Sequence, residues 1–332
     1  RDLSRALSGL ESFVSTIKIS KARADIDFKI SVKSNEKKIL EQYFKSYDDK
    51  LNIPRRGCGY VSFSMPWMET WIKLKKHMPG KWKKTLFPYL QMLNRIYNTN
   101  DLIAVLISQY FQNNVALVVS NIDFVKEGIS PLDKYPANSI MIKSNNPEKL
   151  LKTLEFAFKQ INRELIEKNI KGEAFYYKKK YANKVFLRIR FPDVSGGSIR
   201  PAIGAVGNYF IITSHISFLK EMAAIEKKAD KGLQQLISYK RLTDVFKKPV
   251  ISFIDGTNTL QAIKNLTPFI VTQLALQNKS LYSNFTRLKR RINRQLEEII
   301  TSVEIYKLGV GIGAKLEKER IEGTLSLFLK LK

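Results

Sequence analysis

The stretch PAIGAVGNYFIITSHISFLKEMAAI, residues Pro201–Ile225, decides how the rest of the chain is read. Ala202–Val206 and Tyr209–Ile212 are short apolar runs separated by Gly207-Asn208. Two residues that tolerate left-handed backbone, set between apolar runs, signal a tight β-hairpin. After Ile212 the period changes. Ser214-His215 forms a polar junction, and Phe218–Ile225 carry apolar residues at helical spacing. Serine there offers an acceptor to the free N–H groups of a first helical turn.

The same succession of strand, junction and helix recurs. Gly59–Phe63 leads through Ser64 and Pro66 into the helix of Trp67 and Trp71. Ser139–Ile142 leads through Asn145-Asn146-Pro147 into Lys149–Leu165, and Val250–Ile254 leads through Asp255-Gly256-Thr257 into Leu260–Leu266. Pro66 and Pro147 suit a first helical turn, where a missing N–H is harmless. Hairpins separate these units. Ala174–Tyr177 and Val185–Arg190 flank a basic tip, and alternation puts Val185, Leu187 and Ile189 opposite Arg188 and Arg190. The uncharged run Leu102–Ile122 is broken by Gln112-Asn113-Asn114, and it predicts a helix, a turn and a strand, not a membrane span.

The two ends of the chain resemble each other. The start predicts a helix end, a strand over Val14–Ile19, a charged turn and an alternating strand over Ala24–Val32. The finish predicts a helix end over Leu296–Ile300, a strand over Val303–Ile312, a charged turn and an alternating strand over Ile321–Leu329. The start therefore reads as the tail of an earlier repeat. Gly309-Val310-Gly311-Ile312-Gly313 imitates a dinucleotide loop, but no helix follows it. On a strand its three glycines share one face, and that bare face suits close packing.

From about Leu51 onward the chain resembles bacterial extracytoplasmic proteins of unknown function built from repeated strand–helix–hairpin units. The strand Pro54–Phe63 with its tryptophan helix, the stretch Pro201–Ile225 and the final alternating strand carry the resemblance. It implies an N-terminal signal or anchor upstream of Arg1 and a place in the cell envelope or periplasm, with the cytoplasm as the other option. It carries over no functional residues. The fold expected is α+β, with largely antiparallel sheets from repeated strand–helix–hairpin units and helices packed on the sheets. Four segments are expected: 1–50, the tail of a truncated upstream repeat; 51–136, a strand–helix unit with a basic helical segment; 137–248, a strand–helix–hairpin unit; and 249–332, another with a long basic helix.

The formal net charge is +27, from 57 Lys+Arg against 30 Asp+Glu. Lysine is a point charge on a flexible stem, and an excess of it suits a diffuse field toward anionic polymers or membranes. The same excess also arises from composition alone. Two histidines and one cysteine leave little for nucleophilic or metal chemistry. No CxxC, HExxH or phosphate-loop motif occurs. Cys58 predicts a buried small apolar side chain, His215 a local hydrogen-bonding role and Asp255 a helix cap.

Two basic constellations remain. Arg287, Arg290, Arg291 and Arg294 are spaced i, i+3, i+4, i+7 on one helical face, opposite an apolar stripe of Leu288, Ile292, Leu296 and Ile299. No Asp or Glu occurs between Gly256 and Gln295. Guanidinium forks in such a face bind phosphates or anionic glycans, and a solvated face balanced by acids elsewhere is the plainer reading. Lys73, Lys75, Lys76, Lys81, Lys83 and Lys84 surround His77 near Trp71 and Trp82. They read either as an anion surface or as lysine stems extending outward over buried tryptophans.

These observations predict a non-catalytic cell-envelope binding or scaffolding domain, without cofactor or metal. Anionic lipid, polysaccharide or an acidic protein is the expected partner. A nucleic-acid-binding protein and an apolar-ligand carrier are the alternatives.

Overall fold

The computed structural model describes residues 10–20, 23–32, 53–121, 136–167, 176–181, 183–189, 201–227, 232–236, 239–240, 250–277, 285–306, 309–317 and 320–328. Among them are seven α-helices and twelve strands, and every strand pair described below is antiparallel. The fold is α+β, as the sequence predicts. The chain divides into two compact units. The first comprises Arg1–Ser62, Leu117–Asn138 and Lys228–Lys332, the second Phe63–Ala116 and Ser139–Lys227.

The second unit contains Pro201–Ile225. β5 (Ala137–Ser144) precedes α4 (Pro147–Glu167), β6 (Tyr176–Tyr181), β7 (Lys184–Ile189), β8 (Ala202–Val206), β9 (Tyr209–Thr213) and α5 (Ile216–Lys227). The strand order is β5-β9-β8-β7-β6. Gly207, at φ +55°, turns β8 into β9, and Asn146 accepts the Lys149 N–H at 2.9 Å to start α4. β8 is buried along its whole length because both of its faces are covered. Ile203 and Ala205 join Leu150, Ala157 and Ile161 of α4 in one core cluster. On the other face a Cβ at Gly204 would stand 2.6 Å from the Phe186 ring and 3.1 Å from Leu219 of α5. Glycine lets α5 approach the sheet that closely. Fully burying a side chain such as Phe186 or Leu187 stabilises the fold by about 1.5–3 kcal/mol.

Three helices precede β5 in this unit: α1 (Trp67–His77), α2 (Gly80–Ile96) and α3 (Leu102–Tyr110). Pro66 stands at the N-cap of α1 and no side chain caps that helix. Asp101 caps α3 through the Ala104 N–H at 3.1 Å. The expected turn after α3 is absent: the helix passes straight into β4 (Phe111–Ser120). Gln112 and Asn113 find partners there. Gln112 Nε2 donates to Asn145 Oδ1 at 2.6 Å, and the Asn113 carbonyl accepts the Met65 N–H at 2.6 Å. Lys178, Lys179 and Lys180 lie within β6, not at a hairpin tip. β6 is the terminal strand of the unit, and exposed lysines there oppose pairing with another chain.

The first unit pairs its strands in the order β1-β2-β12-β11-β10-β3. These are β1 (Leu10–Ser20), β2 (Arg23–Val32), β3 (Gly57–Ser64), β10 (Val250–Asp255), β11 (Gly309–Glu317) and β12 (Arg320–Phe328), with α6 (Gly256–Gln277) and α7 (Phe285–Tyr306) between β10 and β11. The two end hairpins that resemble each other in sequence lie side by side, β2 against β12. The C-terminal strand begins later than expected, because Val303–Tyr306 remain helical. Strand succession does not fix strand order. After its helices β11 returns beside β10, whereas in the second unit β9, the last strand, is the one beside β5.

Register sorts the side chains of this sheet by face. One row reads Lys18, Asp25, Ser326, Gly311, Phe253, Tyr60 across six strands. It grades from ions at β1 to aromatics at β3. Ser326 Oγ donates to Asp25 at 2.5 Å and Thr324 Oγ1 to Asp27 at 2.6 Å; Arg23 pairs with Asp25. Phe253 is fully buried, packed edge-on against Tyr239 with centroids 5.2 Å apart. Gly309 and Gly311 are buried on this face, in line with the packing reading of the glycine run; the surroundings of Gly313 lie outside the described residues. α6 sits on the same side: Cys58 Sγ donates to the Asn258 carbonyl at 3.4 Å, and Thr259 Oγ1 to the Cys58 carbonyl at 3.2 Å. At Gly59 a Cβ would stand 2.6 Å from the Phe253 carbonyl oxygen, so only glycine fits that strand contact without a shift.

The opposite face is aliphatic. One row reads Ile19, Ala24, Leu327, Val310, Ile254, and the next reads Ile17, Ile26, Leu325, Ile312, Ser252, Val61. Neither row contains a charge.

Candidate functional site

Amphipathic spacing sets the orientation of α7. Ile292, Leu296 and Ile300 recur every four residues and turn inward, with Ile300 buried. The stripe predicted through Ile299 is corrected at its end: Ile299 is about half exposed and Ile300 takes the inward place. The side chain of Leu288 lies outside the described residues. Arg287, Arg290, Arg291 and Arg294 are all exposed and share the outer face their spacing predicts. Arg294 Nε lies 3.3 Å from Glu298 Oε1, a highly exposed pair one turn apart and worth little in water. The other acid of this turn, Glu297, faces α6 and holds Lys264 at 2.8 Å. Among the described residues no ion pair engages Arg287, Arg290 or Arg291. Three guanidinium forks therefore project from one helix into solvent.

The lysine constellation resolves differently. Lys73, Lys75 and Lys76 are exposed on α1, but Lys75 is tied to Asp101 at 3.0 Å. Trp71 is buried and donates its Nε1–H to the same carboxylate at 2.9 Å. Trp67 donates to the Gln112 carbonyl at 3.0 Å. Burial of Asp101 works to raise its pKa. The hydrogen bonds from Trp71 and Ala104 and the nearby Lys75 outweigh that and hold it below the usual carboxylate range. Lys83 is half-buried, and the side chains of Lys81, Lys84 and Trp82 lie outside the described residues. This cluster holds α1 against α3. It belongs to the second unit and the α7 arginines to the first, so the structure does not gather the ten basic residues into one surface within a unit.

The groups most suited to chemistry have local structural roles. Cys58 is buried, and burial pushes its thiol up to about 12, so almost none of it is the reactive thiolate near neutral pH. His215 is buried with Nδ1 2.9 Å from Ser214 Oγ. His77 is exposed on α1. Asp255 accepts the Asn258 N–H at 2.9 Å as the cap of α6. Among the described residues no three of His, Cys, Asp and Glu gather closely enough to hold a metal ion, and no helix is long and apolar enough to cross a membrane.

Sequence reasoning missed the aliphatic sheet face of the first unit. Ile19, Ile17, Val61, Ile254 and Leu327 are all exposed there, Ile19 at 82% and Ile17 at 64%. Its signal is the alternation of β1, β2 and β12, which marks two unlike faces but does not reveal which one the helices cover. Comparison of the chain with family models, with curated proteins and with solved structures found no match.

Proposed function

We propose that the chain is a non-catalytic binding or scaffolding domain of the cell envelope that engages an anionic surface through the outer face of α7. One observation carries this reading: Arg287, Arg290, Arg291 and Arg294 are exposed on one helical face, and among the described residues Glu298, beside Arg294, is the one carboxylate paired with any of them. Arginines already engaged by acids have their forks occupied, whereas open ones chelate phosphate or carboxylate oxygens in pairs. The net charge of +27 supplies the long-range attraction. Between Arg287 and Arg294 the sequence holds no aromatic residue, so this face lacks the stacking platform that single-stranded nucleic acid uses. That favours an anionic lipid or polymer over nucleic acid.

The test is sedimentation with vesicles of phosphatidylglycerol and phosphatidylcholine. Wild-type binding falls as salt rises, and Arg290→Glu with Arg291→Glu weakens it at least tenfold. The fold survives, because surface substitutions usually change stability by no more than about 0.5 kcal/mol. Equal binding by the variant overturns the reading. Tighter binding to DNA than to the vesicles transfers the arginine face to nucleic acid.

A further inference from the structure

We propose that the uncovered sheet face of the first unit binds the acyl chain of a long-chain anionic amphiphile. The proposal is separate from the arginine face; it shares with that reading only the sign of the charge sought.

The chemistry of the face defines what fits it. Its two rows are aliphatic apart from the Ser252 hydroxyl, and the strand backbones beneath are paired to one another. Such a surface offers no hydrogen bonds to its occupant. A peptide laid flat on it would bury its own N–H and C=O groups unpaired, at a cost that the contact does not return. A hydrocarbon chain has no such groups. Scattered exposed apolar residues are ordinary, whereas contiguous rows of them mark a site of contact. Helix α6 lies on the other side, against Cys58, and the exposure of Ile254 at 47% and Val61 at 48% shows these positions open.

Dimensions agree. Six strands at ~4.8 Å spacing make the row from Ile17 to Val61 about 24 Å long. One acyl chain occupies half of the ~30 Å hydrocarbon core of a bilayer, about 15 Å. Charge then selects among occupants. A second copy of this chain would bring another +27, which opposes face-to-face pairing. An amphiphile with an anionic head is drawn by the same field that repels the copy, and its head remains at the margin of the sheet in water.

The probe is oleate, titrated as a monomer below its micelle concentration, with octanoate as the short-chain control. Wild type binds oleate at least tenfold more tightly than octanoate, and Val61→Lys with Ile254→Lys reduces oleate binding at least tenfold. The methyl resonance of Ile17 shifts on oleate addition to the unmutated protein, while that of Ile211, buried in the second unit, stays in place; this readout does not depend on a variant folding. Arg290→Glu with Arg291→Glu retains oleate binding even where it loses vesicle binding, which separates failure here from failure of the arginine reading. Absence of oleate binding, equal binding by the face variant, or equal shifts at Ile17 and Ile211 overturns the proposal. So does a wild-type dimer in sedimentation equilibrium that the face variant makes monomeric, because the occupant is then a second copy.

Discussion

The two units use antiparallel sheets in opposite ways. In the second, α4 and α5 cover both faces of β8, which is apolar at every position from Ala202 to Val206. In the first, Phe253 is fully buried while its neighbour Ile254 is 47% exposed. A strand covered on both sides needs no alternation, and one covered on a single side shows it. What differs here is the kind of side chain left uncovered. Alternation ordinarily turns polar residues to water, but the uncovered face of the first unit is aliphatic and its ions lie on the face that carries α6. Asp25, Asp27, Ser326 and Thr324 satisfy one another there, which is how that polar surface tolerates partial burial.

The sharpest way to break the comparison is to truncate adjacent residues. Phe186→Ala and Leu187→Ala, on opposite faces of β7, should each cost about 2–5 kcal/mol, read from urea unfolding. Phe253→Ala should cost about 3–5 kcal/mol, yet Ile254→Lys beside it should lie within about 0.5 kcal/mol. A large loss at Ile254 would mean that its face is covered after all.

A smaller effect, about 1–3 kcal/mol, is expected where helix or strand approaches backbone too closely for a methyl group. Gly59→Ala should be the worse of two such changes, because its Cβ would meet the Phe253 carbonyl oxygen. Gly204→Ala meets the Phe186 ring and Leu219 instead, side chains that can shift. Thermal unfolding of the pair ranks them, and the reverse order would show that the first unit yields more readily than the second.

The smallest effect belongs to Asp101. Asp101→Asn should destabilise by about 1 kcal/mol, because Asn still caps α3 while the Trp71 hydrogen bond and Lys75 lose their charged partner. Its folded pKa lies below the 3.8 of a free carboxyl, so its contribution is fully present above that value. The contribution is lost as pH falls through the lowered folded pKa. Wild type should therefore lose its advantage over the variant below about pH 4, as measured by unfolding midpoints across pH. A difference that persists in acid would remove the carboxylate from the explanation.

Local signals were legible in sequence. Gly207-Asn208 makes its turn, and Asn146 and Asp255 make their caps, because each acts within a few residues of itself. The outer arginine face of α7 was legible for the same reason. Signals set by distant partners were not. Gln112 and Asn113 look like a turn until Asn145 and Met65 supply their hydrogen bonds. The choice of Ile300 over Ile299 at the inner face depends on how α7 lies on its neighbours. The aliphatic rows exist only through the register of β2 on β12, and no local pattern encodes which strand will be the neighbour.

That same register has a kinetic consequence. The hydrogen bond between Asp25 and Ser326 spans 301 residues of chain. At ~5–20 residues per second of synthesis, the β1–β2 hairpin waits about 15–60 s before β12 emerges. The second unit, whose segments end at Lys227, is complete well before then. During that interval Ile17, Ile19 and Ile26 stand on a hairpin with both edges unpaired, a surface prone to joining other nascent chains. On its other face Lys18 is already paired with Asp27 at 2.8 Å and Arg23 with Asp25, so charge gives the half-made sheet little protection before its own last strand arrives.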